Sequence, residues 1–299
     1  MRCFCVKTKT SFFISLKIFN IYVIAKETGG KFMKKIKYGA IGILIIAIFS
    51  LSVISMNMKE VEIMTNANIV SNKKIGWGIK RNDNHEQPDV GSNNKKVLEE
   101  NKGICLGNNE KKNIYLTFDE GYEAGYTPQI LSTLKDNQVK ATFFITAHYV
   151  NTQPDLVKQM IDEGHIVGNH TVNHKSMPDL TEEKIKTEVM DLHQVIYEKY
   201  GYEMKYIRPP KGEFSENTLQ ITNRLGYTTV MWSFAYEDWN EDKQPDEATA
   251  KKKILDNLHN GEIMLLHGNS KTNTNILDSV IKEAKNMGYE FKSLDEFEK

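Results

Sequence analysis

Residues 114–146 read IYLTFDEGYEAGYTPQILSTLKDNQVKATFFIT. Two short β-rich runs, Ile114–Phe118 and Ala141–Thr146, flank a helical stretch. Thr127-Pro128 opens that stretch, a cap followed by proline at the first turn. Strand, helix and strand joined by short connections form the repeating unit of a parallel sheet. The same alternation continues downstream through strands His165–Asn169, Lys205–Arg208, Thr228–Ser233, Glu262–His267 and Glu290–Lys292. Between them, Thr152 with Pro154 shortly after opens a helix that Gly164 closes. Thr181-Glu182-Glu183 starts a long one, with Ile185, Val189, Leu192 and Ile196 on one stripe. Helices over Ser215–Leu225, Asp246–Asn260 and Thr274–Met287 each stop at a glycine. The reading is an α/β fold. With about seven strands, an incomplete or distorted (β/α) barrel fits better than an open sheet.

Upstream the composition differs. Residues 58–112 are polar, rich in Asn, Lys and Glu, with Gly76-Trp77-Gly78 as the main apolar feature. They read as a stalk and extension, part of which packs onto a main domain spanning 113–299. Before them, Lys34, Lys35 and Lys37 precede Tyr38–Met56, an uncharged stretch close to the ~20 residues that span a bilayer. Residues 33–57 are therefore expected to be a signal peptide or a membrane anchor, the anchor favoured because only the weak site Val53-Ile54-Ser55, near the end of the stretch, is available for cleavage. Either form places the rest outside the cytoplasm. Residues 1–32 read as an untranslated or mis-assigned leader, a real leader being the alternative. Thr28-Gly29-Gly30 can be encoded as ACA GGA GGT, a ribosome-binding sequence, just ahead of Met33-Lys34-Lys35, a common signal-peptide start.

Of the 299 residues, 40% are hydrophobic and 26% charged, a folded rather than disordered composition. Lys+Arg and Asp+Glu are both 39, so no net charge draws the chain to nucleic acid. Cys3, Cys5 and Cys105 form neither a disulfide framework nor a zinc knuckle.

In parallel α/β folds, functional residues gather at the C-terminal ends of strands. Here that rim receives Asp119 and Glu120, then His170 and His174, then Arg208 with Lys211, then Asp238 with Trp239, and last His267. Taken singly, Asp119 is a helix cap, His267 a structural histidine and Asp238-Trp239 a loop with a packed indole. His170-x-x-x-His174 is stronger, since i and i+4 on one helical turn aim both imidazoles at one point. Convergence on one rim makes the functional case. His85, His148, His165, His193 and His259 lack such company and read as structural or solvent-facing.

Five ordered motifs then resemble those of the polysaccharide deacetylases, the NodB-homology group or carbohydrate esterase family four. They are Thr117-Phe118-Asp119-Glu120-Gly121, His170-Thr171-Val172-Asn173-His174, Arg208-Pro209-Pro210-Lys211-Gly212, Asp238-Trp239 and Leu265-Leu266-His267. The likeness covers residues 113–299. Tyr115–Pro128, Asp162–His170, Trp77-Gly78 and Asn84-His85-Glu86 look like the spore-cortex muramic acid deacetylases that lead to muramic δ-lactam. The resemblance implies a distorted barrel with one divalent metal, often zinc. It implies Asp119 as base, His170 and His174 as metal ligands, Arg208 as the residue orienting the base, Asp238 as the carboxylate tuning a histidine, and His267 as acid. Lys211 and Trp239 become substrate-binding candidates. Glu120 departs from the usual aspartate, so a third ligand at Glu120 stays open: direct ligation, ligation through water, or a side chain turned away.

Amide hydrolysis needs a nucleophile at neutral pH, oxyanion stabilisation and a proton for the amine. The expected substrate is the peptidoglycan glycan strand, most of all its N-acetylmuramic acid, handled by a monomer tethered through its N-terminal segment. N-acetylglucosamine, chitooligosaccharide and a catalytically silent carbohydrate-binding protein are the alternatives.

Overall fold

The computed structural model describes residues 70–299. The expected leader and membrane segment lie outside those residues. Among the described residues no helix is long and apolar enough to cross a membrane.

Each of the seven expected strands is present, in one parallel sheet. In chain order they are β2 (Asn113–Glu120), β3 (Thr142–Ile145), β4 (Ile166–Asn169), β5 (Tyr206–Ile207), β7 (Thr228–Thr229), β8 (Glu262–His267) and β9 (Glu290–Phe291). The order across the sheet is β7-β5-β4-β3-β2-β8, with β9 beside the first residues of β2. Strands β2, β3 and β4 are buried along their whole length, as expected when helices cover a parallel sheet. Register sets the rim: Asp119 pairs with His267, and Glu120, Ile145, Asn169 and Ile207 follow one another across the sheet.

Thr228–Ser233 is not one continuous strand. Pairing with β5 ends at Thr229, and the chain crosses toward the opposite edge, where Phe234 bridges Met264 of β8. Ser233 Oγ accepts the Ile263 N–H at 3.0 Å, and Leu265 N–H donates to the Phe234 carbonyl at 2.8 Å. A narrow seam thus joins the two edges. The barrel is distorted because this seam has no strand ladder of its own.

The helices carry the expected apolar stripes, with shifted ends. In α2 (Thr127–Asp136) Thr127 is not the cap; Glu123 Oε1 accepts the N–H groups of Gly125, Tyr126 and Thr127 instead. Thr152 ends α3 (Ala147–Thr152) rather than opening a helix, and α4 (Pro154–Asp162) starts at Pro154. Thr181 caps α5 (Glu182–Tyr200), whose Ile185, Val189, Leu192 and Ile196 are all buried. Ser215 caps α6 (Glu216–Arg224) in a capping box. Asp246 caps α7 (Glu247–Asp256), which stops short of Asn260 because His259 turns inward to Ser233 Oγ at 2.8 Å. Ser270 caps α8 (Lys271–Asn286), a turn earlier than expected.

The compact unit begins at Val70. Its first part adds β1 (Ile75–Gly76), antiparallel to β6 (Glu213–Phe214), and α1 (Ser92–Glu100). Trp77 is buried, donating its backbone N–H to the Gly212 carbonyl and its indole N–H to the Trp232 carbonyl. Trp77, Leu98 and Cys105 pack with Phe214, Leu219 and Met231 in a second apolar cluster.

Candidate active site

Strand ends supply the site. Asp119 sits near the end of β2, with its carboxylate buried. Arg208, just beyond β5 and fully buried, donates from Nη1 to Asp119 Oδ1 at 2.8 Å and to Thr117 Oγ1 at 2.9 Å. Its guanidinium lies 4.3 Å over the Phe144 ring. Burial alone would raise the Asp119 pKa; the Arg208 charge, helped by His170 and His267, outweighs it and holds the carboxyl below its usual value. Asp119 is therefore ionised at neutral pH.

His267 ends β8. Its Nδ1 donates to Asp238 Oδ1 at 2.7 Å, and its backbone N–H donates to Oδ2 at 2.9 Å. Asn273 Nδ2 also donates to Asp238 Oδ2. Burial works to lower the imidazole pKa, yet the Asp238 carboxylate raises it above the ordinary histidine value. With Nδ1 engaged, Nε2 is the nitrogen left for a substrate.

Between these pairs stand two more imidazoles. His170 Nδ1 meets the Arg208 carbonyl at 2.9 Å, and since a carbonyl only accepts, Nδ1 carries the proton and Nε2 is bare. His174 Nε2 lies 3.1 Å from that Nε2. Burial lowers the His170 pKa, while partial burial and the nearby His170 push His174 down to about 4. Two neutral rings aiming nitrogens at each other fit a shared divalent cation as two of its ligands. Asp119 Oδ2 is 3.5 Å from His170 Nε2.

The convergence does not come from a helical turn. Residues 170–174 form a loop, with left-handed backbone at Thr171 (φ 67°) and His174 (φ 53°). Glu188 of α5 holds it, accepting the Asn173 N–H at 2.7 Å and the Asn173 amide at 2.8 Å.

Glu120 is not brought to the histidine pair. Side chains alternate along a strand, so Asp119 faces the site and Glu120 the helix layer. There its carboxyl packs against Gly268, where an added Cβ would lie 1.9 Å from Oε1. Neither oxygen has a hydrogen-bond partner, and burial, then the charges of Glu123 and Asp119, raise its pKa well above the usual range. Among the described residues no set of three His, Cys, Asp or Glu side chains forms a metal cage.

A cavity of about 1090 Å³ opens over these groups. Lys211 and Trp239 both line it, as do Tyr122 and Asn269, which no sequence spacing singled out. His148, read as structural or solvent-facing, also lies on its wall. The other histidines set aside serve the scaffold: His165 accepts the Ala141 N–H, His193 meets the Tyr227 hydroxyl and His85 the Leu258 carbonyl.

Residues 106–230 match the family model described as polysaccharide deacetylase. Peptidoglycan-N-acetylmuramic acid deacetylase PdaA of Bacillus subtilis is 44% identical over 236 residues, covering 78% of this chain and 90% of the relative. This chain belongs to the polysaccharide deacetylases. The B. subtilis PdaA structure, a family 4 carbohydrate esterase, superposes with a TM-score of 0.74, covering 76% of the deacetylase and 98% of PdaA. A family 4 carbohydrate esterase from Bacillus anthracis follows at 0.65 and 41% identity, covering 76% of this chain and 97% of its own. A peptidoglycan-N-acetylglucosamine deacetylase of Bacillus cereus is 35% identical over 63% of this chain and 89% of its own length. The deacetylase is thus a hydrolase of the acetamide bond with the barrel its sequence implied, in a family whose deacetylases are generally metal-dependent.

Proposed function

We propose that the chain removes the N-acetyl group from N-acetylmuramic acid in peptidoglycan, outside the cytoplasm. One observation carries the chemistry. A carboxylate kept ionised by Arg208 and an imidazole kept protonatable by Asp238 stand at the same level of neighbouring strands, beside paired histidine nitrogens. Base and acid therefore hold opposite protonation states at one pH.

In this reading Asp119 takes the proton of the attacking water, and Arg208 keeps Asp119 ionised and oriented. His267 delivers a proton from Nε2 to the departing amine, and Asp238 fixes its tautomer through Nδ1. His170 and His174 would hold a divalent ion of the zinc class, which would supply Lewis acidity and a lowered pKa for the attacking water. Glu120 takes no part in holding it. The Lys211 backbone N–H, on a turn of left-handed conformation, is a further oxyanion donor.

Two observations favour muramic acid. One is the likeness to PdaA, a peptidoglycan-N-acetylmuramic acid deacetylase. The other is Lys211, exposed on the cavity wall. The carboxylates of Asp179 and Glu213 are both engaged by Lys74, which leaves the Lys211 ammonium for an incoming anion. The lactyl group of muramic acid ends in such an anion once its peptide is removed, and a neutral sugar has none. The test is mass-spectrometric location of the new amine in peptidoglycan with and without stem peptides. Amines on muramic acid, with preference for peptide-free muramic acid lost in Lys211→Met, are expected. Amines confined to glucosamine refute the reading.

A further inference from the structure

We propose that the segment Ser71–Trp77, ahead of the barrel, positions the Pro210–Gly212 turn, and that Lys74 within it determines specificity: by holding Asp179 and Glu213 it keeps the Lys211 ammonium for the lactyl carboxylate. The proposal deepens the reading above and rests on Lys211 as the partner of that carboxylate.

The segment is fastened along the turn. Its strand β1 pairs with β6, which leaves the turn, with Gly76 opposite Glu213 and Ile75 opposite Phe214. Trp77 donates its backbone N–H to the Gly212 carbonyl at 2.9 Å and its indole N–H to the Trp232 carbonyl at 2.8 Å. The turn has little room to shift. A Cβ added at Gly212 would lie 2.7 Å from the Trp232 ring and 3.3 Å from Trp77 Cβ. Lys211 takes a left-handed φ of 60°, a conformation that a residue with a Cβ keeps only where its surroundings impose it. Upstream, the Ser71 carbonyl accepts the Asn217 N–H at 3.0 Å, and Asn72 Oδ1 accepts the Ser215 hydroxyl at 2.7 Å. The Asn72 amide donates to the Pro178 carbonyl at 3.1 Å. One short segment thus ties the turn to the Met177–Asp179 stretch.

Lys74 stands between a carboxylate from each of these pieces. Its Nζ lies 2.5 Å from Asp179 Oδ2 and 3.3 Å from Glu213 Oε2. Both carboxyls also feel Lys211. Asp179 is held below its ordinary pKa chiefly by its bond with Lys74, and Glu213 by Ser176 and then by Lys74; the Lys211 charge adds to both. Without Lys74, two carboxylates would face one ammonium on a flexible four-carbon stem, and Lys211 would turn toward them. An incoming carboxylate would then meet a lysine already paired and a surplus negative charge beside it. With Lys74 in place, the two acids are answered inside the scaffold.

The experiment is calorimetric titration with a peptide-free peptidoglycan tetrasaccharide and with the same oligosaccharide carrying its lactyl carboxyls as methyl esters. The wild type is expected to prefer the acid form, and Lys211→Met to lose that preference. Lys74→Met should lower the preference about fivefold, the scale of one half-exposed ion pair. Adding Asp179→Asn and Glu213→Gln to Lys74→Met should restore it, because the competing carboxylates are then gone; a merely structural role for Lys74 predicts no such rescue. A preference that survives Lys74→Met, or one that the triple variant fails to restore, overturns the proposal and leaves Lys211 as the reader of the lactyl group. A wild type that binds acid and ester equally, or a preference that survives Lys211→Met, instead refutes the Lys211 reading itself, and the role of Lys74 falls with it.

Discussion

At the scale of residues, the site works through environments that push two titratable groups apart. Asp119→Asn and His267→Ala should each lower kcat by about two to four orders of magnitude. Bound metal should be unchanged, measured by elemental analysis of the purified variants. The pH profile follows from the His267 shift. In the proposed role its imidazole acts as acid only while protonated, and Asp238 holds its pKa above the ordinary value, so activity should persist through neutral pH and fall as pH rises past that raised value. Asp238→Asn removes the attraction and leaves the burial, so the alkaline limb of kcat/KM should move to lower pH. A limb that stays in place would assign it to another group. Glu120 gives an independent check on the metal. Because its carboxyl sits among Gly268 and the helix layer with no partner, Glu120→Gln should retain the metal, whereas His174→Ala should lose it. Parallel loss in both variants would return Glu120 to the ligand set.

At the scale of elements, the loop that gathers the histidines owes its shape to α5. Glu188 is buried and places two carboxylate oxygens on Asn173, which lies between His170 and His174 in sequence. Glu188→Ala should weaken metal binding about tenfold, the effect of removing a ligand's support, as read by competition with a chelator. This loop also marks how far the sequence was legible. Strands buried on both faces read as apolar runs that stop at a polar residue, so the rim residues after β2, β4, β5 and β8 could be placed from sequence. Glu262–His267 came out with both ends right. The spacing of His170 and His174 suggested the correct neighbour through the wrong geometry: a helical turn was expected, but two left-handed residues and a distant glutamate do the work. Strand alternation already assigns Asp119 and Glu120 to opposite faces, a signal that motif likeness obscured. Asn273, Asn269 and Tyr122 were out of reach because nothing local distinguishes a polar residue that supports a site from one in solvent. Thr127 failed as a cap for a similar reason, since Glu123 reaches the same N–H groups from outside the helix.

At the scale of the molecule, closing a parallel sheet around a charged site places polar groups deep in the scaffold, and these set the fold's response to acid. His165, at the head of β4, is 3% exposed. Its Nδ1 accepts the Ala141 N–H at 3.1 Å, its Nε2 has no hydrogen-bond partner, and Glu163 Oε2 lies 3.8 Å away. Burial first and the Lys140 charge second, opposed by Glu163, push its pKa down to about 4. In the unfolded chain the same imidazole titrates near its ordinary value of about 6.5. Between those values the unfolded chain binds a proton that the folded one refuses, so acid favours unfolding. The contribution is fully present above about 6.5 and is lost as pH falls through about 4. The difference corresponds to about 3 kcal/mol. For a fold of this size that is roughly 6–12 °C of melting temperature. His165→Gln keeps an acceptor for the Ala141 N–H without a titrating ring. The wild type should therefore lose more melting temperature than the variant between pH 7 and pH 4, as followed by circular dichroism. Curves that fall in parallel would show that His165 takes up its proton inside the folded barrel and that the acid sensitivity arises elsewhere.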